Sequence, residues 1–127
     1  SNIQESGMSK SYVEITGDIS KSLEVLRAEI PGTMQGFNSM AKDAMKAGAL
    51  SALEKERLAL AIGVAARCDG CIGFHVKAVI RLGVTREQFM ETLGVAIYMG
   101  GGPSLMHAAE AVHAYEEFSA RSAKPAA

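Results

Sequence analysis

The stretch that decides the fold runs from Ser51 to Leu82 and reads SALEKERLALAIGVAARCDGCIGFHVKAVIRL. Its apolar residues recur at helical spacing on both sides of the dipeptide Asp69–Gly70, which interrupts the pattern. Ser51 and Glu54 have the spacing of a capping box, so one helix should begin there and a second just after the interruption. Because the first of these helices is apolar on most of its sides, we expect it to lie at the centre of the domain.

Two further helices are predicted before this stretch. Asp18 can cap a helix that Pro31 stops, and a second helix should run onward from Pro31 until Gly48 ends it. Residues 1–7 precede Met8 and resemble a cloning remnant, so they are not counted in the fold.

Two more helices are predicted after it. Gly83 should end the helix that carries the cysteines, and the capping-box spacing recurs at Thr85 and Gln88. The run Gly100–Pro103 should break the chain before a last helix, which is expected to fray over residues 120–127. Since no segment alternates with a period of two, the sequence predicts one all-α domain over the whole chain, with about six helices.

Composition excludes several classes of function. The chain has 127 residues and a formal net charge of -1, so no electrostatic argument points to nucleic acid or to an anionic membrane. No apolar run approaches the ~20 residues that a membrane span needs. The beginning of the chain lacks the basic and then apolar pattern of a secretion signal. We therefore expect a cytoplasmic protein with no nucleic-acid and no membrane partner. Since several helices look apolar on more than one face, we also expect it to assemble.

The chain has two cysteines, Cys68 and Cys71, at the spacing C-x-x-C. A structural disulfide at this spacing closes almost no loop, and in a reducing compartment such a pair is more often catalytic or metal-binding. Cys68 should end one helix and Cys71 should lie in the first turn of the next, where free N–H groups stabilise a thiolate. The pair suits a dithiol–disulfide couple; a metal site and inert buried thiols are the alternatives.

His75 adds a base to this pair. It follows Cys71 at i+4, one turn along the same helix face, so its imidazole can take the thiol proton directly or through a water. Cys68 would then resolve the oxidised Cys71. The two cysteines and His75 offer three ligands where a closed zinc site needs about four.

The other two histidines and the methionines are predicted to have structural roles. His107 and His113 lie six positions apart, do not share a helix face well, and are predicted to be surface or interface residues. The methionines occur at helical spacing and are predicted to fill the core.

Glu56, Cys68, Cys71 and His75 together form the pattern Glu…Cys-x-x-Cys-x-x-x-His. This pattern resembles the alkylhydroperoxidase D core of the carboxymuconolactone decarboxylase superfamily. The segment from Ala96 to Ser104, with its glycines and proline, is similar to small single-domain members of the same group.

The resemblance implies an all-helical subunit that forms a trimer or a hexamer. It implies thiol-dependent reduction of hydroperoxides, with electrons from a dithiol donor such as a lipoyl-bearing protein. It assigns Glu56 and His75 to a proton relay that activates Cys71, with Cys68 as its partner; no cofactor or metal is expected. One difference is Gly70, where the best-known peroxidase of the family has a second histidine.

The position of Glu56 sets a geometric condition on this relay. Glu56 lies about 18 Å before Cys68 along its helix, at 1.5 Å per residue. A simple hairpin would leave it short of His75, so the helices must cross or bend, or a neighbouring subunit must supply the glutamate. The alternative is that Glu56 is an exposed acid favouring the helix dipole, as Glu54 could also be.

Two other functions stay open from the sequence. One is a non-enzymatic redox-responsive oligomeric module, in which the disulfide only modulates assembly. The other is a decarboxylase-like enzyme acting on a carboxylated lactone, for which Arg57, Arg67 and Arg81 are the candidate cations.

Overall fold

The described part of the chain, residues 10–123 of a computed structural model, consists of six α-helices joined by short turns. They are α1 (Tyr12–Glu29), α2 (Pro31–Met45), α3 (Ala52–Ala65), α4 (Asp69–Arg81), α5 (Arg86–Gly100) and α6 (Gly102–Ala123). No strand occurs within this range, so the predicted all-α class is confirmed. None of these helices is both long and apolar enough to cross a membrane. The predicted cloning remnant, residues 1–7, lies outside the described residues.

Side-chain caps fix where two of the helices begin. The Ser51 hydroxyl accepts a hydrogen bond from the Glu54 amide at 3.0 Å, and the Glu54 carboxylate accepts one from the Ser51 amide at 2.7 Å. Thr85 and Gln88 make the same reciprocal pair, with both distances 3.0 Å. Each pair satisfies two amides that a helix start leaves free. Both predicted capping boxes are confirmed.

Other predicted boundaries are wrong by a few residues. Ser11, not Asp18, caps α1: its hydroxyl accepts from the Glu14 amide at 3.2 Å, and Asp18 lies within the helix. Pro31 is the first residue of α2, as its missing N–H allows, but α2 ends before the predicted glycine. The last helix continues to Ala123, and residues 124–127 of the predicted frayed tail lie outside the described residues.

The core forms around α3, as predicted. This helix packs against α2, α4, α5 and α6, whereas no residue of α2 is buried. Fully buried side chains include Leu60 and Val64 of α3, Ile72 and Val76 of α4, and Phe89 of α5. Burial of each such side chain contributes about 1.5–3 kcal/mol to the free energy of unfolding. The packing of α3 and α4 is therefore a main source of the stability of the fold.

The methionines do not fill this core, which corrects the sequence prediction. Among residues 10–123 no methionine is buried, and Met40, Met99 and Met106 are each more than half exposed. Phe37 and Tyr98 are exposed as well. The helical spacing is present, but the apolar stripes lie on the outside of the subunit, and residues 10–123 leave this apolar surface uncovered.

Gly73 allows α1 to pack closely on α4. A Cβ at this position would lie 2.5 Å from the Thr16 methyl group and 3.4 Å from the ring of Tyr12. We expect Gly73→Ala to lower the free energy of unfolding by about 1–3 kcal/mol, because the helices would have to move apart. Gly17→Ala is the matched control, since nothing lies within 4 Å of its new Cβ. Gly17→Ala should raise the free energy of unfolding by about 0.5–1 kcal/mol. If urea denaturation gave the same change for Gly17→Ala and Gly73→Ala, the packing argument would be contradicted.

Candidate functional site

The two cysteines form a disulfide at the N-terminus of α4. Their Cα atoms are 5.2 Å apart. Cys68 is the N-cap of α4 and not, as predicted, the last residue of the preceding helix, because α3 ends at Ala65. The Cys68 sulfur accepts a hydrogen bond from the Cys71 amide at 3.2 Å. A thiolate at this position would therefore meet the free N–H groups of the helix start, which lower the pKa of a thiol in general.

A strained turn brings Cys68 to the start of α4. Arg67 has a φ of 59°, in the left-handed region that costs a non-glycine residue about 1 kcal/mol or more. The turn is held by two backbone hydrogen bonds, from Arg67 to Val64 at 3.1 Å and from Cys68 to Gly63 at 3.0 Å. Because these bonds tie the turn to the end of α3, the sulfur of Cys68 is placed by the core helix.

Two glycines let neighbouring helices approach the motif closely. A Cβ at Gly63 of α3 would lie 2.9 Å from the Cβ of Cys71. On the other side, a Cβ at Gly70 would lie 2.9 Å from the Cδ1 of Ile19 in α1. The C-x-x-C turn is thus held between α1 and α3, with both cysteines only partly buried.

Glu56 and His75 meet within one chain. The Glu56 Oε1 lies 2.6 Å from the His75 Nδ1, and the two side chains are 16% and 30% exposed. The contact needs no neighbouring subunit, and the alternative of an exposed Glu56 is wrong. With the carboxylate at Nδ1, that nitrogen carries the hydrogen and Nε2 is left to accept a proton, which assigns the tautomer by its hydrogen bond.

All four residues selected from the sequence therefore lie in one region of the molecule. Cys68 and Cys71 are bonded to each other, and His75 follows Cys71 by one turn of α4, with Glu56 reaching it from α3. This set contains a sulfur pair able to exchange two electrons, a base, and a carboxylate that orients the base.

The sequence prediction missed a second polar cluster, which surrounds Asp69. Asp69, His107 and Glu110 place ligand atoms within 4.8 Å of one another, as a metal site would. However, the Lys10 ammonium lies 3.1 Å from Asp69 and 3.0 Å from Glu110, so a positive charge already bridges the two carboxylates. His113 bonds the Lys10 carbonyl at 2.7 Å, so it is a partly buried structural residue.

The three arginines considered for a carboxylated substrate do not form one site. Arg57 lines a cleft of about 390 Å³ between α3 and α5, and Arg81 lines one of about 510 Å³ among α1, α4 and α6. Arg67 lines neither cleft. A lactone acid would therefore not meet these cations together.

A family model, a related protein sequence and two solved structures are similar to this chain. A model of the Carboxymuconolactone decarboxylase family matches residues 31–114, more than half of the chain. A solved structure of a carboxymuconolactone decarboxylase family protein from Legionella pneumophila is 54% identical, with a TM-score of 0.84 over 85% of this chain and 96% of that one. An uncharacterized protein of Cupriavidus necator is 36% identical over 103 residues, 81% of this chain and 91% of its own length. A Thermotoga maritima protein of the same family, 23% identical with a TM-score of 0.77 over 84% of this chain and 92% of that one, shares the fold.

Proposed function

This chain belongs to the carboxymuconolactone decarboxylase family, and we propose that it is a thiol-dependent peroxidase and disulfide reductase. In this proposal it reduces hydroperoxides in antioxidant defence by cycling Cys68 and Cys71 between dithiol and disulfide. The observation that carries the proposal is the hydrogen bond of 2.6 Å between Glu56 and His75, one helical turn from a closed Cys68–Cys71 disulfide. A disulfide at this spacing closes almost no loop and so stabilises the fold little, and the oriented base beside it is what activation of a thiol requires.

The proposed cycle begins with the reduced protein. His75 accepts the thiol proton of Cys71 at Nε2, and the Glu56 carboxylate stabilises the protonated ring through Nδ1. The Cys71 thiolate attacks one oxygen of the hydroperoxide, the O–O bond breaks, and the alcohol leaves with the proton that His75 returns. Cys71 is then a sulfenic acid.

The second half of the cycle closes and reopens the disulfide. The Cys68 thiol attacks the sulfenic sulfur of Cys71, an S–S bond forms, and water leaves. A dithiol donor, such as a lipoyl-bearing protein, then attacks this disulfide, passes two electrons and two protons to it, and leaves as its own disulfide. The sum is one hydroperoxide and one donor dithiol converted to one alcohol, one water and one donor disulfide.

A single-turnover experiment tests the proposal without any donor. Reduced protein, freed of reductant, should convert one molecule of cumene hydroperoxide to its alcohol per chain while two thiols disappear. The rate should exceed that of dithiothreitol at the same thiol concentration, because only the protein thiol has an oriented base. Protein with alkylated thiols is the control and should consume none. If the thiols oxidise no faster than dithiothreitol, yet the assembly changes size, the protein is the redox-responsive module instead.

We further propose that the protein works as a homotrimer or homohexamer. Support comes from α2, which buries no residue and exposes 59% of Phe37 and 60% of Met40. Light scattering after size exclusion should give three or six times the mass of one chain. Met40→Glu should reduce that mass, because a charge would be buried against the apolar surface of a partner. Asn38→Glu, on an exposed polar position of the same helix, is the control, and a monomeric wild type would contradict the proposal.

A further inference from the structure

The polar cluster around Asp69 is tightly connected and takes no part in the cycle described above. The Tyr12 hydroxyl donates to Asp69 Oδ1 at 2.9 Å and lies 3.2 Å from Glu110 Oε1. The Lys10 ammonium donates to Asp69 Oδ2 at 3.1 Å and to Glu110 Oε1 at 3.0 Å. His107 approaches Glu110 with its Nε2 at 4.0 Å. We call these five residues the Asp69 network.

The network is held in place by α6. Glu117 accepts hydrogen bonds from the Ser11 hydroxyl at 2.6 Å and from the Tyr12 amide at 2.7 Å. His113 holds the Lys10 carbonyl, and Tyr12 is fully buried. These contacts fix the backbone at Lys10 and at the start of α1, from where both side chains reach Asp69; the Lys10 side chain is 33% exposed.

Hydrogen bonds within the network favour the charged forms of Asp69 and Lys10. Burial acts to raise the pKa of Asp69, but hydrogen bonds from Tyr12 and Lys10 outweigh it and hold the pKa below its ordinary value. Burial acts to lower the pKa of Lys10, but hydrogen bonds to Glu110 and Asp69 raise it above its ordinary value. Burial and the bond to Asp69 raise the pKa of Tyr12, which therefore remains a donor. One cation thus faces two carboxylates.

Asp69 lies between the two cysteines, as the first residue of α4. A thiolate formed in the motif depends on the free N–H groups of that same first turn. A carboxylate in the turn repels this thiolate, and a cation bound to the carboxylate reduces the repulsion. The charge state of residues 10 and 69 should therefore act on the stability of the reduced motif.

We propose that the Asp69 network sets how readily the Cys68–Cys71 disulfide is reduced, with Asp69 opposing the reduced thiolate form and Lys10 favouring it. Both are positioning residues that act through charge, and neither meets the hydroperoxide. The inference rests on the proposed function only in that the disulfide must be reversible. The titratable groups packed around the motif are Glu56 of α3 and His75 of α4, which contact each other, and Lys10, Glu110 and His107, which surround Asp69.

Equilibration with glutathione tests the inference. In that reaction two glutathione molecules are oxidised to glutathione disulfide, the protein S–S bond breaks, and the protein gains two electrons and two protons; above the lower thiol pKa, one proton is released again. At such a pH, Asp69→Asn should shift the equilibrium about threefold toward the reduced protein, and Lys10→Met about threefold away from it. Absorbance titration of the thiolate should show a lower thiol pKa in Asp69→Asn and a higher one in Lys10→Met.

Asp69→Asn and Lys10→Met are expected to shift the glutathione equilibrium in opposite directions, and this distinguishes an effect of charge from a structural defect. Loosening of the turn would move both variants in the same direction, and that outcome, or no change in either, would overturn the inference. Glu110→Gln removes a negative charge from the same lysine and should act like Asp69→Asn, so the test survives if one variant fails to fold. Lys42→Met and Asp43→Asn on α2 are the matched controls and should leave the equilibrium unchanged.

Failure of the proposed function would look different. If wild-type protein equilibrates with glutathione but does not reduce hydroperoxide faster than dithiothreitol, the peroxidase proposal fails and the network can still be judged by the two shifts. If neither glutathione nor dihydrolipoamide reduces the wild-type disulfide, both proposals fail together, because each needs a reversible disulfide.

Discussion

Replacing Cys71 with serine should abolish hydroperoxide turnover while the helical fold is kept. A serine hydroxyl does not ionise near neutral pH and is a poor nucleophile toward an O–O bond, so the base at His75 would have no thiol to activate. The side chain is nearly isosteric, and its close neighbour is the backbone of Gly63, which a serine Cβ meets as the cysteine Cβ does. Circular dichroism should match wild type, and peroxide consumption with dihydrolipoamide should fall to background.

Cys68→Ser is the companion variant, because it removes the partner and leaves the nucleophile. It should still release one alcohol per chain in the first turnover, and mass spectrometry should find Cys71 with one added oxygen. Multiple turnover should then stall, because no second thiol closes the disulfide. Full activity in Cys71→Ser would contradict the mechanism. Activity on a carboxylated lactone that survives loss of both cysteines would instead support decarboxylase-like chemistry.

Local signals in the sequence predicted the helices well where a side chain caps the backbone. Ser51 with Glu54 and Thr85 with Gln88 each occupy the predicted helix start, because a capping box involves only residues three positions apart. The start of α1 was predicted too late although Ser11 precedes Glu14 at the same spacing. The apolar spacing after Asp18 favours a later start, but the cap at Ser11 is the signal that the helix follows.

Spacing alone could place His75 beside Cys71, because both lie on one helix. It could not place Glu56, whose contact with His75 depends on how α3 packs against α4. The family resemblance alone implies the role of Glu56, because distance along the chain predicts that Glu56 falls short of His75 in a simple hairpin. Residue spacing therefore predicts contacts within one helix, but not contacts between two helices that pack together.

The Asp69 network could not be predicted for a related reason. Its members come from the segment before α1, from the starts of α1 and α4, and from α6, with Lys10 and Glu110 separated by 100 positions in the chain. No periodic pattern connects residues so far apart. The methionine prediction failed differently: the sequence shows that a helix face is apolar, but not whether that face meets the core or another subunit.

Replacing Glu56 with glutamine should slow peroxide reduction at neutral pH by about 10²-fold, the low end of what a positioned base contributes. Glutamine can still form a hydrogen bond with His75, but it carries no charge to stabilise the protonated ring, and it no longer fixes the tautomer that leaves Nε2 free. Above the pKa of Cys71 the thiolate forms without a base. The rate of the variant should therefore approach that of wild type as pH rises, and a rate profile over pH measures this.

Glu54→Gln is the matched control for this prediction. Glu54 lies two positions earlier on the same helix, and glutamine can keep its capping bond to the Ser51 amide, so both the fold and the rate should be unchanged. An equal loss in both variants would show that removing any acid from this end of α3 is harmful, and the relay would have no support. A selective loss at Glu56 that alkaline pH restores is expected only if the carboxylate acts through His75 on the ionisation of Cys71, because a structural defect would persist at every pH.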